Sequence, residues 1–398
     1  MNNKVEILAP AGDLKRGMIA LAFGADAIYF GAKAYSLRAR ASNFDFTDVK
    51  QMCTYAHKLG KRAYLVTNIL CHCHHLPQFS TFLTNIIFAD VDGYICSDPF
   101  IIQTIKEKLP QKEIHISTQL SVTNSKAALF YKNNGATRII VSRELAINEL
   151  KEMIANVQNQ IAIEYFVHGA VCIACSGRCM LSSNYCLRDA NVGGCAQSCR
   201  WPCLLYDQKH TYSTNFSMSA KDMCLISDLQ ALMLADVSAF KIEGRMKSEH
   251  YIATVVNAYK HVKNSIVHNQ PADHKYVDDV VKAANRQVSC GWFNGLPSAQ
   301  QMLFHGRLEQ VNQNYVMLVQ KRIDSHTYVV LSKNYFNIAN NFEILSQSSD
   351  CFKIIKLHKI TLQDGSTTTI VNTPMQEITI SIDQCVNLLP NDMLRLVC

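Results

Sequence analysis

Apolar and polar positions along the 398-residue chain follow two rhythms that change near Gly306. In the first part, short β-rich runs alternate with stretches of helical periodicity. VEILAP (Val5 to Pro10) leads into a helix from Asp13, ADAIYFGA (Ala25 to Ala32) into FTDVKQMCTYAHKLG, and RAYLVTN (Arg62 to Asn68) into a helix that ends before GYICSD (Gly93 to Asp98). GYICSD, EIHISTQ (Glu113 to Gln119) and TRIIVSR (Thr137 to Arg143) are each followed by a further helical stretch. IAIEYFVHG (Ile161 to Gly169) runs into a polar excursion, and AFKIEGRM (Ala239 to Met246) precedes SEHYIATVVNAYKHVKNSI. Eight strands alternating with helices over about 250 residues predict an α/β fold, a (β/α)8 TIM-like parallel barrel. The first βα turn, APAGDLKRG, lacks the GxGxxG fingerprint, which counts against a doubly wound dinucleotide-binding sheet. Beyond Gly306 the short alternating runs YVMLVQ, TYVVLS, FEILS and EITISI, with turn signals at Asp364–Gly365 and Pro390 to Asp392, predict a small C-terminal all-β barrel. The expected domains are residues 1–304, with a Cys-rich loop over 169–203, and residues 305–398.

Composition narrows the setting. The start MNNKVEILAPAG has neither a basic n-region nor an apolar h-region, and no run of eighteen apolar residues occurs, so the expectation is a cytoplasmic protein with no membrane association. Thiols stay reduced in that compartment, so clustered cysteines point to metal or chemistry rather than to disulfides. The formal charge of +7 is uneven, because residues 305–398 hold eight Lys/Arg and eight Asp/Glu and leave the whole excess in the first part. An acidic partner such as RNA is compatible with that excess. Because it is thinly spread without Lys/Arg runs, a solvated surface explains it more simply.

The barrel reading gives strand ends a meaning, since active sites of such barrels form at the C-terminal ends of the strands. Asn68, Gln119, Arg143, Glu144, His168, Glu243 and Arg245 fall at or just past those ends, where capping or loop hydrogen bonding is the ordinary alternative. The excursion after Gly169 holds six of the sixteen cysteines by Trp201. Cys172, Cys179, Cys195 and Cys199 make C-x6-C-x15-C-x3-C, in which only the second pair has zinc-like spacing. Iron-sulfur clusters tolerate more varied spacing, and Gly169, Gly177, Gly193 and Gly194 would let backbone wrap closely around sulfur. Spacing leaves iron-sulfur, zinc and ordinary reduced thiols open. Cys175, Cys186 and Cys203 read as non-ligands. The run CHCHH (Cys71 to His75) is too tight to converge easily on one ion.

The residues around the cysteines carry more. EYFVHGAVCIACSGRCMLS (Glu164 to Ser182) resembles the signature of the collagenase-like peptidase family U32. EILAPAGD, ADAIYFGA, the STQ of Ser117 to Gln119, the SRE of Ser142 to Glu144, RDANVGGCAQSCRW, SAKDMC and FKIEGRMKSEHYIATVVNAYK resemble its other conserved-looking stretches, so the likeness covers most of residues 4–304. Despite the label, the better-understood members of that family are prephenate-dependent RNA hydroxylation proteins, and related members use an iron-sulfur cluster for oxygen-independent hydroxylation. The cysteine arrangement and length are most similar to the branch acting on the wobble uridine of tRNA at C5. The resemblance implies tRNA as partner, prephenate as hydroxyl donor, and an iron-sulfur cluster, expected as 4Fe-4S, on Cys172, Cys179, Cys195 and Cys199. Cys224 competes for the fourth place and zinc is the alternative metal. A dianionic carboxylate needs cations, for which Arg178, Arg188, Arg200, Lys241 and Arg245 are candidates beside Asn68, Gln119 and Arg143. Glu144, His168 and Glu243 are the candidate catalytic groups. Proteolysis, hydroxylation of a ribosomal RNA cytidine, and a non-catalytic RNA-binding role are the competing readings. The chain has neither GxSxG nor HExxH, and SEHY has the wrong order and spacing for the latter.

Overall fold

The computed structural model of the chain describes residues 5–38, 42–206, 211–303 and 314–397. Eight strands form its first body: β1 (Glu6–Pro10), β2 (Ala27–Gly31), β3 (Arg62–Thr67), β4 (Gly93–Cys96), β5 (Glu113–Ile116), β6 (Arg138–Ile140), β7 (Ala162–Gly169) and β8 (Ala239–Ile242). Each is one of the eight runs picked out by periodicity. They pair in parallel in chain order, and β8 pairs with both β1 and β7, which closes the barrel. With helices outside and side chains filling the inside, both strand faces are covered, which is why these segments are nearly continuous apolar runs.

The helices α1 (Leu14–Ala22), α2 (Phe46–Lys58), α3 (Leu76–Ile86), α4 (Pro99–Lys108), α5 (Ser125–Asn133) and α6 (Ile147–Val157) follow the first six strands. Their starts are set by local chemistry: the side chains of Asp13, Asp45, Asp98 and Asn124 accept hydrogen bonds from first-turn amides of α1, α2, α4 and α5. Between β7 and β8 the chain makes its long excursion, which includes α7 (Leu181–Cys186) and a strand, Asp222–Cys224, that runs antiparallel beside β7. It returns through α8 (Leu229–Leu234). The long α9 (Glu249–Val267) and α10 (His274–Ala283) then cover the outside.

The barrel interior is not wholly apolar. Arg138 Nη1 lies 2.7 Å from Glu6 and 3.0 Å from Glu164, and Lys241 Nζ lies 2.7 Å from the other oxygen of Glu164. Glu164 is fully buried; burial alone would raise its pKa, but Lys241 and Arg138 hold it below its ordinary value.

The second body is a closed antiparallel barrel of β9 (Tyr315–Arg322), β10 (Thr327–Ser332), β11 (Asn341–Leu345), β12 (Ile354–Thr361), β13 (Glu377–Ile382) and β14 (Met393–Leu396), ordered β9-β10-β13-β12-β11-β14. Val316, Tyr328, Phe342, Ile344, Ile380 and Leu394 fill it. Tyr315, Leu318, Leu345 and Met393 instead join the core of the large barrel, and Arg395 reaches Asp279 of α10 at 2.6 Å. The predicted boundary at 304/305 lies outside the described residues. Among the described residues no helix is long and apolar enough to cross a membrane.

Candidate functional site

Loops at the C-terminal ends of the strands enclose a cavity of about 200 Å³. Tyr29, Val66, Ile95, Ile140, Phe166 and Lys241 line it from the strands. Arg38, Asn68, Ser117, Thr118, Gln119, Arg143, Glu144, Glu243 and Arg245 line it from the strand ends and the loops beyond, and the cysteine excursion covers it at Cys172 to Ala174, Ser176, Gly177, Cys179, Ala190, Asn191, Cys195 and Cys199.

The cover is tied down residue by residue. Glu144 accepts hydrogen bonds from the backbone N–H of Ser176 at 3.0 Å and from its hydroxyl at 3.0 Å, and also from the Ser142 hydroxyl. Ser121 donates to the Ser176 carbonyl, Arg143 to that of Ala170, and Leu70 N to that of Asn191 at 2.9 Å. Gly177 lies at φ +77°, where a Cβ would stand 1.9 Å from the Gln119 carbonyl oxygen. Only glycine fits that crossing. Glu144 therefore acts on the loop and is a positioning residue.

The cavity is rich in cations. Arg143 stacks its guanidinium 3.9 Å above the Phe166 ring, and Lys241 Nζ sits 4.3 Å from the centre of Tyr29. Arg245, almost wholly buried, donates to Ser36 Oγ at 2.9 Å and Asn43 Oδ1 at 2.5 Å, with no carboxylate within ion-pair distance among the described residues. Burial lowers its pKa to about 10. Glu243 meets Arg38 at 3.4 Å; burial would raise its carboxyl, but Arg38, Arg143 and Lys247 outweigh this and keep it ionised. Asn68 Nδ2 donates to Gln119 Oε1 at 2.7 Å. Four cations against Glu144 and Glu243, with Lys241 also answered by Glu164 from below, suit an anionic ligand. Tyr29, Leu37, Phe166 and Ile173 give the same space flat and apolar surface for a ring.

Cys172, Cys179, Cys195 and Cys199 all open on this cavity. The thiol of Cys199 is pushed up by burial, against the opposing pull of Arg200, with the neighbouring sulfurs of Cys172, Cys195 and Cys179 adding to the rise. Tetrahedral zinc needs sulfurs about 3.8 Å apart. Among the described residues no three His, Cys, Asp or Glu side chains are gathered closely enough to hold one ion. The donor set at this opening is four free thiols, the kind of side chain that ligates iron-sulfur clusters. Cys175, Cys186 and Cys203 do not line the cavity. Cys224 does not either: its sulfur lies 3.9 Å from the Tyr259 hydroxyl, outside the barrel wall, so the expectation that it could compete with Cys199 is corrected. The rings of His72, His74 and His75 pack on one another at the rim, and His72 Nε2 stands 3.5 Å from Asp189.

Four further expected residues stand apart from the cavity. His168 should face inward by strand alternation with Glu164 and Phe166. A β-bulge intervenes: Lys241 pairs with Phe166 but Ile242 pairs with His168, so Val167 is the extra residue and the imidazole turns outward. There its Nδ1 lies 3.2 Å from the Tyr259 hydroxyl, and burial, reinforced by Lys247, lowers its pKa to about 3. It is a neutral packing group rather than a proton carrier for the cavity. Arg178 and Arg188 are exposed on the excursion, and the half-buried Arg200 donates to Gln197 Oε1 at 3.2 Å with its charge felt at the Cys199 thiol. Arg38, which the sequence reading missed, carries no motif: only the loop fold that buries Asn43 and Ser36 against Arg245 brings it in. Phe166 and Tyr29 were legible in principle, as inward positions of β7 and β2.

The profile of Peptidase family U32 matches residues 12–303. The chain is 34% identical over 410 residues to the tRNA hydroxylation protein P1 of Bacillus subtilis (strain 168), covering 99% of this chain and 95% of that relative. It is 31% identical over 408 residues to the tRNA hydroxylation protein P of Haemophilus influenzae, covering 89% and 88%. An uncharacterized protease of Methanocaldococcus jannaschii is 36% identical over 300 residues, 73% of each chain.

Proposed function

The chain belongs to peptidase family U32, and from that premise we propose that it hydroxylates RNA, at C5 of the wobble uridine of a tRNA, with prephenate as hydroxyl donor. One observation carries the reading: four thiols and four cationic side chains open on the same cavity at the catalytic end of a barrel. Cys172, Cys179, Cys195 and Cys199 would hold an iron-sulfur cluster, which when bound supplies one-electron redox chemistry. Arg38, Arg143 and Arg245 bind and orient the donor's carboxylates, since guanidinium forks match them. Lys241, fixed by Glu164, keeps the inner end of the cavity positive. Asn68 and Gln119 offer an amide edge to the base, and the ionised Glu243 can take up a proton released beside it.

Proteolysis is less well supported. A cysteine nucleophile needs a base, and no histidine is among the described residues lining the cavity. The test is mass spectrometry of tRNA from cells lacking the gene, complemented by the wild-type chain or by Cys179→Ala. The C5-oxygenated wobble uridine should vanish in the deletion, return with wild type, and stay absent with the variant. An unchanged tRNA would overturn the reading, and loss of a hydroxycytidine from 23S rRNA instead would move the substrate. Iron and acid-labile sulfide in anaerobically purified protein test the cofactor.

A further inference from the structure

Resting on the RNA-hydroxylation reading and deepening it, we infer that the outer face of the cysteine excursion is a base-stacking platform for the unpaired nucleotides that flank the target. Large apolar side chains are normally hidden, yet Leu187 is 95% exposed, Tyr185 62% and Trp201 44%, all within one short stretch of chain. They are neighbours in space as well. The Ser182 hydroxyl of α7 lies 3.5 Å from that of Ser198, and Cys186 Sγ lies 3.6 Å from the same Ser198 oxygen, so the turn carrying Trp201 packs on the helix carrying Tyr185. The same excursion also covers the cavity, which Ile173, 37% exposed, and Asn191 line.

Charge selects the occupant. Residues 169–203 contain Arg178, Arg188 and Arg200 against the single acid Asp189, on a chain of net charge +7. Exposed aromatic faces interleaved with arginines suit single-stranded RNA, whose bases stack while its phosphates are neutralised. A duplex hides its base faces and would gain little. The same thiol-bearing loop would thus do two things: its inner side faces the reacting base, and its outer side holds the neighbours splayed so that one base can enter.

The probe is an RNA hairpin with a uridine-containing single-stranded loop, compared with a duplex of the same sequence, on the full-length chain. Tyr185→Ala and Trp201→Ala should each weaken hairpin binding about tenfold and leave the weak duplex binding unchanged. Arg178→Gln and Arg188→Gln should each lower the slope of log affinity against log salt by about 0.7. Trp201 and Trp292 are the two tryptophans. In a Trp292→Phe background, hairpin binding should quench the Trp201 emission. Iron content and melting temperature report whether each variant is folded and loaded, and the quenching is read on unaltered Trp201 should a truncation misfold. Wild type that binds no hairpin overturns the functional reading and the platform with it. Hairpin binding that is unchanged by Tyr185→Ala and Trp201→Ala and leaves Trp201 emission constant overturns the platform alone. So does a patch whose truncation abolishes binding to anionic lipid vesicles but not to the hairpin.

Discussion

At the scale of the residue, the site depends on charges buried beneath it. Lys241 lines the cavity with its ammonium 2.7 Å from Glu164, which is fully buried and shares Arg138 with Glu6. Such a pair need not add net stability, but breaking it leaves an uncompensated charge in a low-dielectric interior. Lys241→Met should therefore cost about 3–5 kcal/mol in urea unfolding. The double variant Glu164→Gln/Lys241→Met should lose clearly less than the sum of the two single changes, because the orphaned charge is gone. Additive losses would show that the two groups are independent. Lys241 stood out in the sequence, in FKIEGRM, as a carboxylate candidate. Its partner Glu164, and the Arg138 and Glu6 that continue the network, come from strands far apart in the sequence, and no local pattern links them.

Among the elements, β7 decides which groups face the chemistry. Its bulge at Val167 turns His168 outward, and the strand Asp222–Cys224, antiparallel beside it, pairs Cys224 with His168 on the same outer side. The cysteine excursion begins where β7 ends, and Glu144 at the end of β6 pins it through Ser176. Hence Cys224→Ser should keep the iron and sulfide content of wild type, and Cys199→Ser should lose most of both, as measured on anaerobically purified protein. Equal loss from the two variants would contradict this placement. The alternation of apolar residues announced β7 and its length, but a one-residue bulge leaves no mark in that alternation, so the strand end told nothing of the side to which His168 points.

For the molecule as a whole, the two barrels share a core rather than touching lightly. His250 of α9 is buried at their junction, stacked on Tyr315 at 5.4 Å between ring centres and 3.4 Å from Thr254 Oγ1. Burial, with Arg395 adding repulsion, lowers its pKa from 6.5 to about 3. The unfolded chain therefore binds this proton first, so stability is fully present above about pH 6.5 and declines as pH falls from there toward 3. Melting temperature should drop over that window, and His250→Gln should flatten the pH dependence relative to wild type. An identical slope in the variant would remove His250 from the junction's acid sensitivity. The second barrel was legible from its alternating strands, whereas its docking was not, since Tyr315, Leu318, Leu345 and Met393 read in sequence as ordinary members of their own strands.

By itself the sequence determined the order and type of the elements, the closed parallel barrel with its small β appendage, and the loop that carries the thiols. These follow from periodicity and spacing, which are local properties of a chain. Tertiary structure alone decided that Arg38 enters the cavity, that His168 and Cys224 stay out of it, and that Glu164 underlies Lys241. Each of these depends on where strands distant in sequence come to lie side by side, and on a single bulge in their register. The direction in which a side chain points is settled by its neighbours in space, and those are chosen only when the barrel closes.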